Sequence, residues 1–222
     1  RDRPARVPVP LCFSAASGRT VAMKQYSDAC DQNRDPILAI IGDVFRTAGH
    51  VLEVGSGTGQ HAVYIARHLP HLRWQTSDQP SSHASIRAWI DESGLDNVLP
   101  PLTLDVAASG WPADRLFAGV FRDNTSHIMS WPMVESMFAG IGRVLQPGAS
   151  LCLYGPFNYG NTYTSPSNER FDAWLKDRDP VSGIRNFEDL YALARTFGMT
   201  LQADHEMPVN NRLLVWVKQS GL

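Results

Sequence analysis

The chain has 222 residues, 43% of them hydrophobic and 19% charged, with a formal net charge of −2 and a pI near 6.4. That length and apolar share suffice for one sizeable core in a single domain, and the near-neutral balance excludes the basic face, or pI above about 9, that marks a nucleic-acid partner. Three cysteines, Cys12, Cys30 and Cys152, lack metal-ligand spacing and fit a reducing, cytoplasmic setting, and no apolar run approaches the roughly 18 residues of a membrane span.

Residues 1–22 hold Arg1, Arg3, Arg6 and Arg19 among Pro4, Pro8 and Pro10, around a proline-broken apolar stretch that makes a poor signal-peptide core. They read as an extension or leader ahead of one domain over 23–222. The first helix is predicted from about Asp35 to Thr47, with Pro36 early in it and Gly49 just past its end. Next, Val51 to Gly59 (VLEVGSGTG) is an apolar strand carrying Glu53 that releases into Gly55, Gly57 and Gly59 around Ser56 and opens into a helical pattern from Gln60 to Leu69. Such a turn sits at the carboxyl edge of a parallel sheet, where open α/β proteins bind cofactors. A dinucleotide fingerprint would want glycine where Gln60 stands, and a phosphate loop would want a lysine that is missing.

A second strand, Leu72 to Ser77, delivers Asp78 to the same edge about 20 residues after the turn, where a carboxylate can accept ribose hydroxyls. Val98 to Leu104 forms the third strand, delayed by Pro100 and Pro101 and followed by Asp105 and Val106. Leu116 to Phe121 is a fourth strand, Pro132 to Leu145 a helix, and Ser150 to Gly155 a fifth strand containing Tyr154. A long polar insertion without regular structure precedes a helix over Phe187 to Phe197. Two strands, Thr200 to Glu206 and Arg212 to Lys218, then close the chain around a tight proline and asparagine turn. Alternation of strand and helix makes the sheet parallel at its centre.

Glycines one residue apart behind a strand-terminal acid resemble the first motif of class I S-adenosylmethionine-dependent methyltransferases. The resemblance narrows with Tyr26-Ser27 and Asn33 to Leu38, GSGTGQHAV at Gly55 to Val63, Asn124 and His127 ahead of Trp131, LYGPF at Leu153 to Phe157, Pro166 to Glu169 with Phe171-Asp172, and MPVNN at Met207 to Asn211. Together these are similar to the family called domain of unknown function 938, which includes the methyltransferase-like 26 proteins, over about Lys24 to Lys218.

That resemblance implies a Rossmann-like class I methyltransferase fold: a mostly parallel seven-stranded sheet with an antiparallel terminal strand and helices on both faces. It implies S-adenosyl-L-methionine as cofactor, with Glu53, Gly55, Ser56, Gly57 and Gly59 along its methionine and ribose parts, Asp78 on the ribose, Asp105 and Val106 by the adenine, and Asn124 close by. Asn33 and Arg34, ahead of the first helix, fold over it, Arg34 being suited to a substrate or cofactor carboxylate or else to a salt bridge with a nearby acid. Tyr26, His127, Trp131, Tyr154, Asn168 and Asn210 are the substrate-side candidates, and Tyr159 and Tyr163 in the insertion could join Asn168 in a lid.

The sulfonium already activates the methyl group, so alignment matters most and no metal is needed. His127 is the candidate base; its competing reading is a helix cap or backbone contact. His61, in the first turn after the glycines, either reaches the cofactor or lies exposed. One departure from the family pattern, Arg122-Asp123 ahead of Asn124, signals either an altered substrate or a surface ion pair. The expected activity is methyl transfer to a small-molecule N, S or O nucleophile. The alternatives are a cofactor-binding interaction module without turnover and a nicotinamide-dependent oxidoreductase, the latter disfavoured by the glycine spacing. Exposed apolar patches would point to a homodimer.

Overall fold

The computed structural model describes residues 24–108, 110–112 and 114–220, so the leader expected over 1–22, with Cys12, lies outside the described residues. Strands β1 (His50–Glu53), β2 (Arg73–Asp78), β3 (Val98–Thr103), β4 (Phe117–Asp123), β5 (Leu145–Gly155), β8 (Met199–Met207) and β9 (Asn211–Lys218) form a seven-stranded sheet in the order β3-β2-β1-β4-β5-β9-β8. All neighbouring pairs from β3 to β5 are parallel. β9 runs antiparallel to both β5 and β8, so β8 points the same way as the centre. Two-residue strands β6 (Phe157–Asn158) and β7 (Arg185–Asn186) pair separately, in parallel.

Successive strand residues point to opposite faces, and both faces are buried, as a parallel sheet requires. Val51, Phe121, Cys152 and Val215 pack beneath α1 (Asp28–Val44) and α2 (Gln60–His68) through Ile37, Ile41, Ala62 and Ile65, with α3 (His83–Ser93) alongside. Leu52, Val120, Leu153 and Trp216 pack on the other face against α4 (Trp131–Val144) and α6 (Phe187–Thr196) through Val134, Phe138, Ile141 and Leu190. The expected sheet, its antiparallel strand and its two helical layers are all present.

β5 starts at Leu145, five residues before the expected Ser150, and α3 has no counterpart in the sequence reading; two further differences bear on the site. α1 begins at Asp28, seven residues before the expected start, because Asp28 and Asp31 favour a helical first turn and Pro36 is tolerated inside it. The Ser27 backbone N–H donates to Gln60 Oε1 (2.6 Å) and its carbonyl accepts from Gln60 Nε2 (3.3 Å), which fastens this early start to the head of α2. The insertion after β5 is not irregular: it holds α5 (Pro166–Arg178), opened by Pro166 and by Ser165 Oγ accepting the Asn168 N–H. No described helix is long and apolar enough to cross a membrane.

Candidate active site

Everything at the carboxyl edge hangs on the turn after β1. Gly55, Gly57 and Gly59 take φ of +78°, +55° and +95°, a region that costs side-chain-bearing residues dearly. The Gly55 and Ser56 N–H groups both donate to Ser77 O (3.0 and 2.9 Å), the Ser77 N–H donates to Ser56 Oγ (3.1 Å), and Ser77 Oγ donates to Glu53 O (2.6 Å). The loop is thereby stitched to β2. A Cβ on Gly59 would lie 2.9 Å from Ile86 Cα, so this glycine lets α3 close over the loop. Asp78 completes the turn by accepting the Gly57 N–H at Oδ2 and the Gln79 N–H at Oδ1, both at 2.7 Å.

Three contiguous chambers open along this edge. The first, about 340 Å³, runs from Asp78 past Leu104, Val106 and Met133 to Arg122 and Thr125. The second, about 180 Å³, lies over Gly55 to Thr58 beneath Ser27, Ala29 and Asn33, and shares Gly55 and Thr125 with the first. The third, about 430 Å³, shares Ala29, Asn33 and Asn124 with the second and is walled by His127, Tyr154, Asn168, Phe171 and Val209. Asn33 and Asn124 therefore stand at the junction of the loop chamber with the third. Asn124 holds φ of +47°, which places it at the tip of β4 without continuing the strand.

The charges around the trough are distinct from one another. His61 is 4% exposed, with Nε2 2.7 Å from Asn33 Oδ1 and Nδ1 3.3 Å from Asp123 Oδ2. Burial opposes its charge, but Asp123, with help from Cys30 and Glu53, prevails and pushes its pKa up to about 9. The imidazolium donates from both nitrogens, which fixes the Asn33 amide with its oxygen inward. Tyr154 Oη accepts from Asn211 Nδ2 (3.0 Å), extending the polar wall into the third chamber.

His127 is the opposite case. Burial, then repulsion from Arg122 and Arg185, pulls its pKa down to about 4, so the ring is neutral at physiological pH. It meets Phe171 edge-on at 5.2 Å. Arg122 is 3% exposed and lines the first chamber. Its Nη1 donates to Val54 O (3.3 Å), another nitrogen faces Met129 Sδ, and burial lowers its pKa to about 10 against the pull of Asp123 and Asp78. Arg122 and Asp123 are thus not a surface ion pair, since they point to opposite sheet faces and Asp123 serves His61.

Several expected contacts lie elsewhere. Glu53 is wholly buried, takes the Trp74 Nε1–H (3.1 Å) and lines none of the three chambers; burial raises its pKa to about 7. Asp105 is exposed and closes its own turn by accepting the Ala107 N–H (3.0 Å), while Val106 beside it does line the first chamber. Arg34 sits inside α1, paired to Asp31 and stacked over Tyr64, away from the trough. Tyr26 is exposed and bonds Asp31 while stacking on Trp89. Trp131 opens α4 and donates to Glu135 Oε1 (3.0 Å). Asn210 borders an adjoining groove, and its carbonyl accepts from Asn168 Nδ2 (3.1 Å). Tyr159 and Tyr163 are tied to Asp204 and Asp172. Sequence reasoning quoted Phe171 within a family motif but gave it no place in the site, and it missed the His61 to Asn33 contact, which joins residues 28 apart.

A family model described as "Protein of unknown function (DUF938)" matches residues 24–218. The chain belongs to this family. Among solved structures, an O-methyltransferase family protein from Burkholderia thailandensis aligns with a TM-score of 0.75 at 16% identity, over 88% of this DUF938 chain and 59% of its own. The apo S-adenosylmethionine-dependent methyltransferase SibL gives 0.73 at 21% identity, over 86% and 56%. An O-methyltransferase family 2 protein from Planctomyces limnophilus, in complex with apigenin, gives 0.67 at 15% identity, over 76% and 50%. The DUF938 chain spans little more than half the length of these neighbours, and at such identities the likeness is one of fold.

Proposed function

We propose that this chain transfers a methyl group from S-adenosylmethionine to a small-molecule nucleophile. The observation that carries the reading is a row of three chambers with shared walls, which runs from Asp78 over the glycine loop to a chamber holding a neutral, buried histidine. The residues present fit the cofactor. An added Cβ on Gly57 would meet nothing within 4 Å, leaving the loop backbone open to a ligand. Asp78, partly exposed at the edge, keeps acceptor capacity beyond its two backbone bonds, and Leu104, Val106 and Met133 offer an apolar bed for a base. When bound, the cofactor supplies an electrophilic methyl group.

The chain's own contribution is alignment and proton removal. Asn33, fixed by His61, and Asn124 border the passage along which a nucleophile must approach, and holding that line can supply roughly 7 to 11 kcal/mol of barrier reduction. His127 is poised to accept the nucleophile's proton at a ring nitrogen. Its low proton affinity suits transfer late in the reaction, as the new bond forms, and suits a hydroxyl or thiol better than an amine that is already charged. One of the matched structures holds apigenin, a hydroxyl-bearing small molecule.

The same low affinity favours a second reading, a cofactor-binding module that turns nothing over. Calorimetric titration with S-adenosylmethionine and S-adenosylhomocysteine, with NAD and NADP as controls, tests the cofactor. Release of S-adenosylhomocysteine with any hydroxyl or thiol acceptor then separates enzyme from module. Binding of the nicotinamides alone would overturn both.

A further inference from the structure

Within that reading, we infer that the third chamber accepts an uncharged molecule, an apolar face of which packs against Phe171 and Val209 while its polar edge meets Asn33 and Asn124. Among the described residues, no lysine, arginine, aspartate or glutamate lines this chamber. Arg122, whose charge reaches His127, lines the first chamber rather than this one, and three further ions close to this chamber's walls are already committed. Arg185 spends its guanidinium on the carbonyls of Ser126, Met129 and Val181. Asp172 accepts from Tyr163, Lys176 and the Ile184 N–H, and Asp123 serves His61. A charged acceptor would leave water without a counter-ion, which is costly, whereas side-chain amides satisfy neutral donors and acceptors equally well.

Val209 gives the second, independent support. It takes φ of +59° and ψ of +36°, a left-handed conformation that is a genuine outlier for a β-branched residue. Asn210 follows at φ of +57°. The turn keeps this shape because it is pinned on several sides: Asn168 Nδ2 to Asn210 O (3.1 Å), Asn210 Nδ2 to Ser167 Oγ (3.2 Å), and Asn211 Nδ2 to Tyr154 Oη (3.0 Å). Yet Val209 is 74% exposed and gains almost no burial for its strain. Glycine or asparagine would fit the same turn with less strain. Strain of this kind persists where it serves a site, and what the valine adds is an apolar surface at the chamber rim.

The test titrates the protein, with and without saturating S-adenosylhomocysteine, against 2-naphthol and 2-naphthoate, uncharged and anionic probes that share one ring system. The wild type should bind naphthol at least tenfold more tightly than naphthoate. Val209→Asn should raise the unfolding midpoint by about 2 to 4 °C through strain relief, Val209→Gly by less because glycine adds entropy to the unfolded chain, and both should weaken naphthol binding at least fivefold while leaving S-adenosylhomocysteine affinity unchanged. A merely structural valine predicts no loss of naphthol. Equal or tighter naphthoate binding, no binding of either probe, or unaltered naphthol affinity in both variants would each overturn the inference. Failure of S-adenosylhomocysteine to bind, with the naphthol results as expected, would sink the methyl-transfer reading and leave the chamber's selectivity standing.

Discussion

Replacing Gly59 by alanine should damage this protein in a way that replacing Gly57 does not. Both glycines lie at positive φ, +95° and +55°, so each substitution incurs the left-handed penalty of about 1 to 2 kcal/mol. They part company in space. A Cβ on Gly57 meets nothing within 4 Å, whereas one on Gly59 falls 2.9 Å from Ile86 Cα and 3.3 Å from Trp89 Cβ. Backbone cannot swing aside as a side-chain tip can, so α3 must move off the loop, an overpacking cost of about 1 to 3 kcal/mol. Gly59→Ala should therefore lose about 2 to 5 kcal/mol and Gly57→Ala about 1 to 2 kcal/mol, read from urea unfolding at constant m-value. S-adenosylhomocysteine titration of the folded fraction should show the complementary pattern, since Gly57 lines the loop chamber and a Cβ there has no protein neighbour within 4 Å. If Gly59→Ala proves no less stable than Gly57→Ala, the close packing of α3 on the loop is wrong.

Three further outcomes test the site. Asp78→Asn should weaken S-adenosylhomocysteine binding by about 1.5 to 3 kcal/mol, the worth of one hydrogen bond to a charged group, and unchanged calorimetric affinity would remove Asp78 from the ribose. His127→Gln should cut turnover by about 100-fold or more with cofactor affinity preserved; full activity would reduce His127 to a packing partner of Phe171. For pH, His61 is held charged up to about 9, above its ordinary value of 6.5, so its contribution to stability is fully present below pH 6.5 and is lost as pH rises through 9. Unfolding free energy should thus decline over that window more steeply in the wild type than in His61→Gln, and parallel curves would mean that His61 is not the group responsible.

The glycine turn and Asp78, the proposed cofactor half, were legible because they are built from backbone and strand ends. Gly55, Gly57, Gly59 and Asp78 announce a turn and an acid at fixed intervals, and local spacing is enough to place them. Glu53 and Asp105 obeyed the same spacing and still missed the trough: one side chain points into the core toward Trp74, the other folds back on Ala107. The acceptor half was harder. α5 offers only Phe171, Trp174 and Leu175 as large apolar residues and so lacks a strong helical stripe, and the His61, Asn33 and Asp123 cluster draws on three separate elements. Arg122 did leave a signal. It follows Val120 by two residues in a strand and so had to share that residue's buried face.

β9 threads between β5 and β8, and it is the last strand in the chain order. Synthesis proceeds from the N-terminus at about 5 to 20 residues per second, so α1 to β5, and with them the glycine loop, Asp78 and His127, leave the ribosome first. Until β9 arrives, β5 presents a bare hydrogen-bonding edge studded with Leu151 and Leu153, a template for pairing with a neighbouring nascent chain. The turn carrying Val209 and Asn211 arrives with the same strand. Protection from aggregation and completion of the third chamber are therefore one late event, and a chain interrupted before Asn211 would emerge both sticky and with that chamber unfinished.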